Sequence, residues 1–179
     1  ASEAASLAGH LKLGKMIYLY DDNRISIDGS TDLAFTEDRA TRFKAYGWQV
    51  IQVDDGIYVE KIDQAIIQAK NDERPSLIIC RTKIGYGLPT MENTAEAHGK
   101  PPGEKELATA KENAGWPVEP KFFVPEDVLT LFRSAIDQGK NAEQTWKSVL
   151  ESYKTQNPQK TEEFLRRMNG ELPSNWDAD

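Results

Sequence analysis

The sequence predicts an α/β fold in which a parallel sheet is covered by helices on both faces. Three short apolar runs rich in β-forming residues each follow a stretch with helical periodicity, in the order αβ–αβ–αβ. The segments between successive runs are long enough to hold a helix, and such crossovers join parallel strands. A length of 179 residues suits one domain, or one domain with an extension.

The first half of the chain supplies two helices and the first strand. Leu7 and Leu11 lie four residues apart, so a helix begins almost at once. The run 15–20 (KMIYLY) predicts a buried strand that an Asp-Asp-Asn turn stops. A second helix opens at Thr36, where a capping residue is followed by two acids, and it ends at Gly47.

Two further strands and a helix complete the predicted sheet domain. The strands are 48–53 (WQVIQV) and 76–83 (SLIICRTK), and the helix between them has apolar residues at helical spacing from Val59 to Ala69. We expect three side chains to be buried in the core: Trp48, Trp116 and Cys80.

The rest of the chain predicts a long loop and then helices. Residues 85–100 are too irregular for a regular element, and a helix follows at 104–114. Three apolar stripes predict three more helices, at 128–136, 146–153 and 164–168, with Pro158 before the last. We therefore predict two domains: part of an α/β domain over residues 1–115, and a helical extension over residues 116–179.

Composition excludes several functional classes. With 39% hydrophobic and 28% charged residues, the chain has enough apolar side chains for a core but no run near the ~20 apolar residues of a membrane helix. The net charge of −7 argues against general binding to nucleic acid. The single cysteine excludes an intrachain disulfide and fits a reducing compartment. We expect no nucleic-acid partner and no membrane partner.

Two loops at strand ends carry the chemistry. Ligands of open parallel sheets bind beyond the carboxyl ends of the strands, so the loops 21–29 and 84–89 should face one crevice. The first loop offers oxygen donors that Mg²⁺ or Ca²⁺ accepts, from Asp21, Asp22, Asn23 and Asp28. An acidic turn in which these residues cap backbone groups is the alternative.

Glycines and a histidine mark the second loop and its continuation. Gly85 and Gly87 let the backbone approach a ligand, although they do not form the GxGxxG pattern of nicotinamide sites, and a plain turn is the alternative. His98 would serve as a proton carrier or a phosphate contact, unless it is a solvated surface residue. His10 fits a helix-end or packing position.

Several sequence blocks, in order, point to a known family. They are SEAASLAGHLKLGK, YDDNRISIDG, FTEDRATRFKAYGWQVI, RTKIGYG, AHGKPPGEKE and NGELPSNW. Together they resemble transketolase, a thiamine-diphosphate enzyme of the pentose phosphate pathway and the Calvin cycle. The resemblance implies an incomplete thiamine-diphosphate-binding fold from a homodimeric transferase. Such an enzyme moves a two-carbon ketol unit from a ketose phosphate to an aldose phosphate, with thiamine diphosphate and Mg²⁺ or Ca²⁺ as cofactors.

The resemblance implies cofactor contacts for five residues besides His98. Asn23 matches a metal-binding asparagine, and Ile25 matches the residue whose carbonyl oxygen is a second metal ligand. Ile27 and Ile84 match positions near the thiazolium ring, and Gly85 adjoins the second of them. All five are expected to bind the cofactor.

Two further residues have implied roles in the reaction. His98 matches a histidine near the diphosphate and the reacting substrate oxygens, so it is the expected catalytic residue and also contacts the cofactor. Glu3 resembles a glutamate in the network that links the two cofactors across the dimer.

The sequence also departs from the family pattern. The 179 residues hold no Gly-Asp-Gly block, which carries another metal ligand in the family, and no pyrimidine-binding domain. The segment 88–97 lacks an extra histidine that is often present, which puts substrate contacts there in doubt. We expect a fragment that is inactive alone and that works with the remaining transketolase segments.

Other interpretations stay open. One is dihydroxyacetone synthase or another thiamine-diphosphate transferase, and a second is an assembly module without catalysis. The first 15 residues do not form a secretion signal, and the cytoplasm is the expected location, with a plastid as the alternative.

Overall fold

The structure, a computed structural model, describes residues 1–177 and divides into two compact units, residues 1–118 and 119–179. The first unit has four helices: α1 (Ser2–His10), α2 (Arg39–Ala45), α3 (Val59–Lys70) and α4 (Glu104–Asn113). Its strands are β1 (Ile17–Asp22), β2 (Ile25–Ser26), β3 (Gly29–Ser30), β4 (Gln49–Val53) and β5 (Ser76–Arg81). Two 3₁₀ turns cover Thr31–Leu33 and Ala95–His98.

The main sheet is parallel, as predicted, and its strand order is β1-β5-β4. Ser76 of β5 is in register with Ile17 on one side and with Gln49 on the other. β5 therefore lies in the middle, although it is the last of the three strands along the chain. β2 and β3 form a separate antiparallel hairpin directly after β1.

Helices cover both faces of this sheet, as predicted. Successive side chains of a strand point to opposite faces. Ile78 therefore packs with Ala65 and Ala69 of α3, whereas Leu77 packs with Trp48 and with α1. The indole Nε1 of Trp48, which is 1% exposed, donates to the carbonyl oxygen of Ala5 at 2.8 Å. The predictions that Trp48 and Cys80 are buried are confirmed.

Side-chain burial in the first unit departs from the sequence pattern at α1 and at Trp116. α1 buries Ala5 and Ala8 against Trp48 and Leu77, while Leu7 and Leu11 are more than half exposed. Trp116 is 43% exposed, so the prediction that it anchors the core is wrong.

Strand and helix ends also shift by a few residues. β1 continues to Asp22, and it is an edge strand of the described sheet, which leaves Tyr18 and Leu19 about half exposed rather than buried. α2 is capped by Asp38, whose carboxylate accepts the Thr41 amide at 3.0 Å, rather than by Thr36.

The second unit is helical, with α5 (Glu126–Gln156) and α6 (Pro158–Met168). Two of the predicted helices are one continuous helix of 31 residues, because the polar stretch between the two stripes carries no stop signal. Pro158 begins α6, as predicted. Within residues 1–177, no helix is both long and apolar enough to cross a bilayer.

Candidate functional site

The carboxyl ends of β1 and β5 lie side by side, since the two strands are parallel neighbours. Their ends are also linked by side chains. Nη1 of Arg81 donates to the carbonyl oxygen of Asp22 at 2.8 Å, and the Thr82 hydroxyl donates to the carboxylate of Asp21. The loops that follow the two strands therefore leave the same edge of the sheet.

Asp22 forms ion pairs with two arginines. It is 6% exposed, and its carboxylate lies 3.1 Å from Nη2 of Arg39 and 3.6 Å from Nε of Arg24. The guanidinium of Arg39 also lies over the rings of Tyr20 and Phe35. Two cations beside one carboxylate leave it poorly suited to bind a metal ion. In the part of the chain that the structure describes, no three His, Cys, Asp or Glu residues are grouped as a metal site.

Asn23 shapes the start of the first loop. Its Oδ1 accepts the backbone N–H of Ile25 at 2.9 Å, and Arg24 between them has φ 62°. This turn leads directly into the β2–β3 hairpin, whose tip carries Ile27 with 72% of its surface exposed. Asn23 and Ile25 are thus held in one compact turn at the end of β1.

This turn fits part of a site for a hard cation. An amide oxygen has two lone pairs, so Oδ1 of Asn23 keeps one after it accepts the Ile25 N–H. Amide and carbonyl oxygens are suitable ligands for Mg²⁺ and Ca²⁺, and Mg²⁺ usually takes few protein ligands together with phosphate oxygens. The donor chemistry of Asn23 and Ile25 is therefore compatible with a metal-bound diphosphate.

The second loop folds back on itself after β5. The N–H of Leu88 donates to the Gly85 carbonyl at 2.9 Å, and the N–H of Asn93 donates to the Ile84 carbonyl at 2.8 Å. Gly85 has φ 63°, and a Cβ there would lie 2.9 Å from the Cβ of Ala97. A glycine is required at this position both by the backbone conformation and by the close approach.

Two glutamates that the sequence analysis did not single out tie this loop down. The Glu92 carboxylate accepts one hydrogen bond from the Gly87 N–H and one from the Lys83 ammonium group, both at 2.9 Å. These two bonds lower the pKa of Glu92. Glu106 of α4 accepts bonds from Thr90 and Met91. A glutamate in the first turn of α4 was the signal available in the sequence.

His98 ends the 3₁₀ turn Ala95–His98, and its side chain is exposed. β2 lies against this turn, so the structure brings the segment of Ile25 together with that of His98. Glu3 lies elsewhere, on the exposed first turn of α1 beside His10 and Tyr46.

The fold agrees with comparisons to known proteins. Residues 1–173 match a family model described as transketolase, thiamine diphosphate binding domain. The chain belongs to the transketolase family. The predicted family is thereby confirmed.

Individual transketolases match almost the whole chain. It is 50% identical to the transketolase of Nostoc sp. over 179 residues, which cover 99% of this chain and 27% of that protein. It is 46% identical to transketolase 2 of Escherichia coli over 176 residues, covering 98% of this chain and 26% of that protein. The chain thus spans about a quarter of the length of these curated relatives.

Solved transketolase structures share the fold. The enzyme from Leishmania mexicana superimposes with a TM-score of 0.84 at 40% identity, over 99% of this chain and 27% of that one. A Pichia stipitis transketolase solved in complex with sedoheptulose 7-phosphate gives 0.82 at 39% identity, over 98% and 26%. The predicted α/β class is confirmed, and the described sheet is a small part of the sheet domain expected for the whole enzyme.

Proposed function

We propose that this chain forms the part of a transketolase that holds the metal-bound diphosphate of thiamine diphosphate. In the assembled enzyme, the reaction is transfer of a two-carbon ketol unit from a ketose phosphate to an aldose phosphate. The observation that carries the proposal is the meeting of three segments at one sheet edge: the Asn23–Ile25 turn, the loop after β5, and the turn that ends at His98.

Asn23 and Ile25 hold the cation, Mg²⁺ or Ca²⁺, through Oδ1 and a carbonyl oxygen. The cation offsets the negative charge that the diphosphate brings to a chain of net charge −7. Ile27, Ile84 and Gly85 lie near the thiazolium ring, where apolar surface and a bare backbone let the ring approach and keep water out. When bound, thiamine diphosphate supplies the carbon nucleophile and the electron sink for breaking a carbon–carbon bond.

His98 acts on the substrate side. An imidazole that is exposed at the rim of the site donates a hydrogen bond to a substrate oxygen and moves a proton to or from it. Glu3 belongs to a network that crosses the interface of a homodimer. The partners are the remaining transketolase segments and the sugar phosphates, and the location is the cytoplasm.

A segment exchange tests this function. The 179 residues replace the matching segment of the Nostoc sp. transketolase, which is 50% identical, and ketol transfer is measured with thiamine diphosphate and Mg²⁺. We expect the chimera to be active, whereas the isolated 179-residue chain shows no ketol transfer, because it holds only two of the family's metal ligands. A folded chimera without activity, or an active isolated chain, would contradict the proposal.

Substitution of Asn23 tests the metal site within the chimera. Asn23→Leu removes the amide oxygen, so the concentration of thiamine diphosphate and Mg²⁺ that gives half-maximal activity should rise by about 10- to 100-fold, as losses around a metal centre usually do. Asn141→Leu, on an exposed face of α5, is the matched control and should leave that concentration unchanged. An unchanged cofactor requirement in Asn23→Leu would remove the residue from the ligand set.

A further inference from the structure

The carboxylate of Glu106 connects helix α4 to the loop that leads to His98. We propose that Glu106 is a positioning residue for His98, acting through the 3₁₀ turn Ala95–His98. The inference rests on the proposed role of His98 in proton transfer, and it adds a residue from outside the cofactor-binding loops.

One oxygen of Glu106 receives three bonds from two adjacent residues. Oε1 accepts the Thr90 N–H at 2.7 Å, the Thr90 hydroxyl at 3.1 Å and the Met91 N–H at 3.3 Å. Hydrogen bonds to a charged acceptor are shorter and stronger than those between neutral groups. Glu106 therefore fixes the backbone of Thr90 and Met91 to the first turn of α4.

Met91 passes this restraint on to the turn. Met91 is buried, with 7% of its surface exposed. Its carbonyl oxygen accepts the Thr94 N–H at 3.2 Å and the Thr94 hydroxyl at 2.8 Å. Thr94 is the residue from which the turn Ala95–His98 begins.

The turn also has a second support, which limits the directions in which it can move. Ala97 packs against Gly85 closely enough that a methyl group on Gly85 would collide with it. Hydrogen bonds thus connect α4 to the turn of His98 through Met91 and Thr94, while Gly85 contacts the turn from the loop after β5. Without Glu106 the contact between Ala97 and Gly85 stays but the three bonds to α4 are lost, so His98 should sample a wider range of positions.

Hydrogen exchange on the 179-residue chain tests the anchor directly, without any need for activity. In Glu106→Ala, amide exchange of Thr90 and Met91 should speed up by about 10-fold or more, because their acceptor is gone. Glu106→Gln keeps an amide oxygen as an acceptor and should change exchange much less. Glu112→Ala removes the same charge from the last turn of α4 and is the matched control. Unchanged exchange of Thr90 and Met91 in Glu106→Ala, with the β5 amides still protected, would overturn the proposal.

Double substitution in the chimera tests whether the anchor acts through His98. Glu106→Ala alone should lower kcat by about 10-fold while the KM for thiamine diphosphate stays the same, because a displaced proton carrier slows the reaction. In a His98→Ala background the same substitution should have almost no further effect. Full additivity of the two losses would overturn the proposal. If His98→Ala itself leaves kcat unchanged, the proposed role of His98 fails, while the exchange experiment still decides whether Glu106 holds the loop.

Discussion

His98 stands at the end of a short turn with an exposed side chain, in a loop whose backbone is anchored at both Glu92 and Glu106. General acid–base catalysis needs a positioned side chain that can come within hydrogen-bond reach of the substrate. We expect His98→Ala in the chimera to lower turnover by about 10²- to 10⁴-fold, the usual contribution of one general acid–base group.

The chain offers its own control for this substitution. His10 is the other histidine, exposed in the last turn of α1, and His10→Ala should leave turnover unchanged. A loss below about fivefold in His98→Ala would be too small for general acid–base catalysis, and it would remove the residue from the catalytic step.

Gly85 and Gly87 give a matched pair for the second loop, since both have positive φ but only Gly85 is crowded. Gly87→Ala should cost about 1 kcal/mol in the free energy of unfolding, from backbone strain alone. Gly85→Ala should cost about 1–3 kcal/mol more, because its methyl group would meet Ala97. Urea unfolding of both variants measures the difference, and equal losses would mean that the contact with Ala97 is easily relieved.

At the scale of single elements, α1 and α5 respond in opposite ways to the same change. A Cβ on Gly9 of α1 would collide with the carbonyl oxygen of Tyr46, whereas one on Gly139 of α5 meets nothing within 4 Å. Gly9→Ala should therefore lower the free energy of unfolding by several kcal/mol, while Gly139→Ala should raise the stability of α5 by about 0.5–1 kcal/mol through helix propensity. Thermal unfolding followed by circular dichroism checks both signs.

α6 should be sensitive to acid. Bonds from Arg166 and then Arg167 lower the pKa of Glu163 from 4.5 to about 2, so Glu163 stabilises α6 when it is charged. Because the folded pKa is the lower one, this contribution is present above the unfolded pKa and disappears as the pH falls from about 5 towards 2. Glu163→Gln should destabilise α6 near neutral pH, and the difference from the parent chain should shrink in acid. Glu162→Gln is the neighbouring control, and urea midpoints between about pH 6 and 2.5 decide the outcome.

The elements were predictable where a local signal exists. Gly47, with φ 86°, ends α2 as expected, and Pro158 begins α6 as expected, because both residues act on their own backbone. The division of α5 into two helices was wrong, since a polar stretch around Gly139 changes the face of a helix without ending it. The helix is capped by Asp38 rather than Thr36 because the Asp38 carboxylate, two residues further on, accepts the amide of Thr41.

At the scale of the whole molecule, the parallel sheet and the convergence of the two loops followed from crossover length. Strand order did not, because it depends on which strands meet across long stretches of chain. The ion pair between Asp22 and Arg39 could not be predicted from the sequence either. Asp22, a candidate metal ligand in the sequence, is bound to a guanidinium in the structure. Glu106 escaped notice for the same reason, since its partners Thr90 and Met91 come from a separate loop.

The link between the two compact units should be open to proteases. Phe122 is 96% exposed and lies just after the boundary between residues 118 and 119. Limited chymotrypsin digestion should cut first after Phe122 and leave the preceding unit folded. Phe132 is 74% exposed but sits inside α5, so it should be cut later. A first cut within α5 or at Tyr86 would mean that the link is better protected than the units that it joins.

The central position of β5 has a consequence for how the chain folds during synthesis. β1 and β4 pair only with β5 in the described sheet, and they do so across separations such as 59 residues for Asp22 and Arg81 and 27 for Gln49 and Ser76. A nascent chain that has emerged only as far as β4 has helices and the β2–β3 hairpin but none of the described pairs of the main sheet, and such long-range pairing is slow to form. β1 and β4 therefore have no strand partner in the described sheet until β5 has been synthesised.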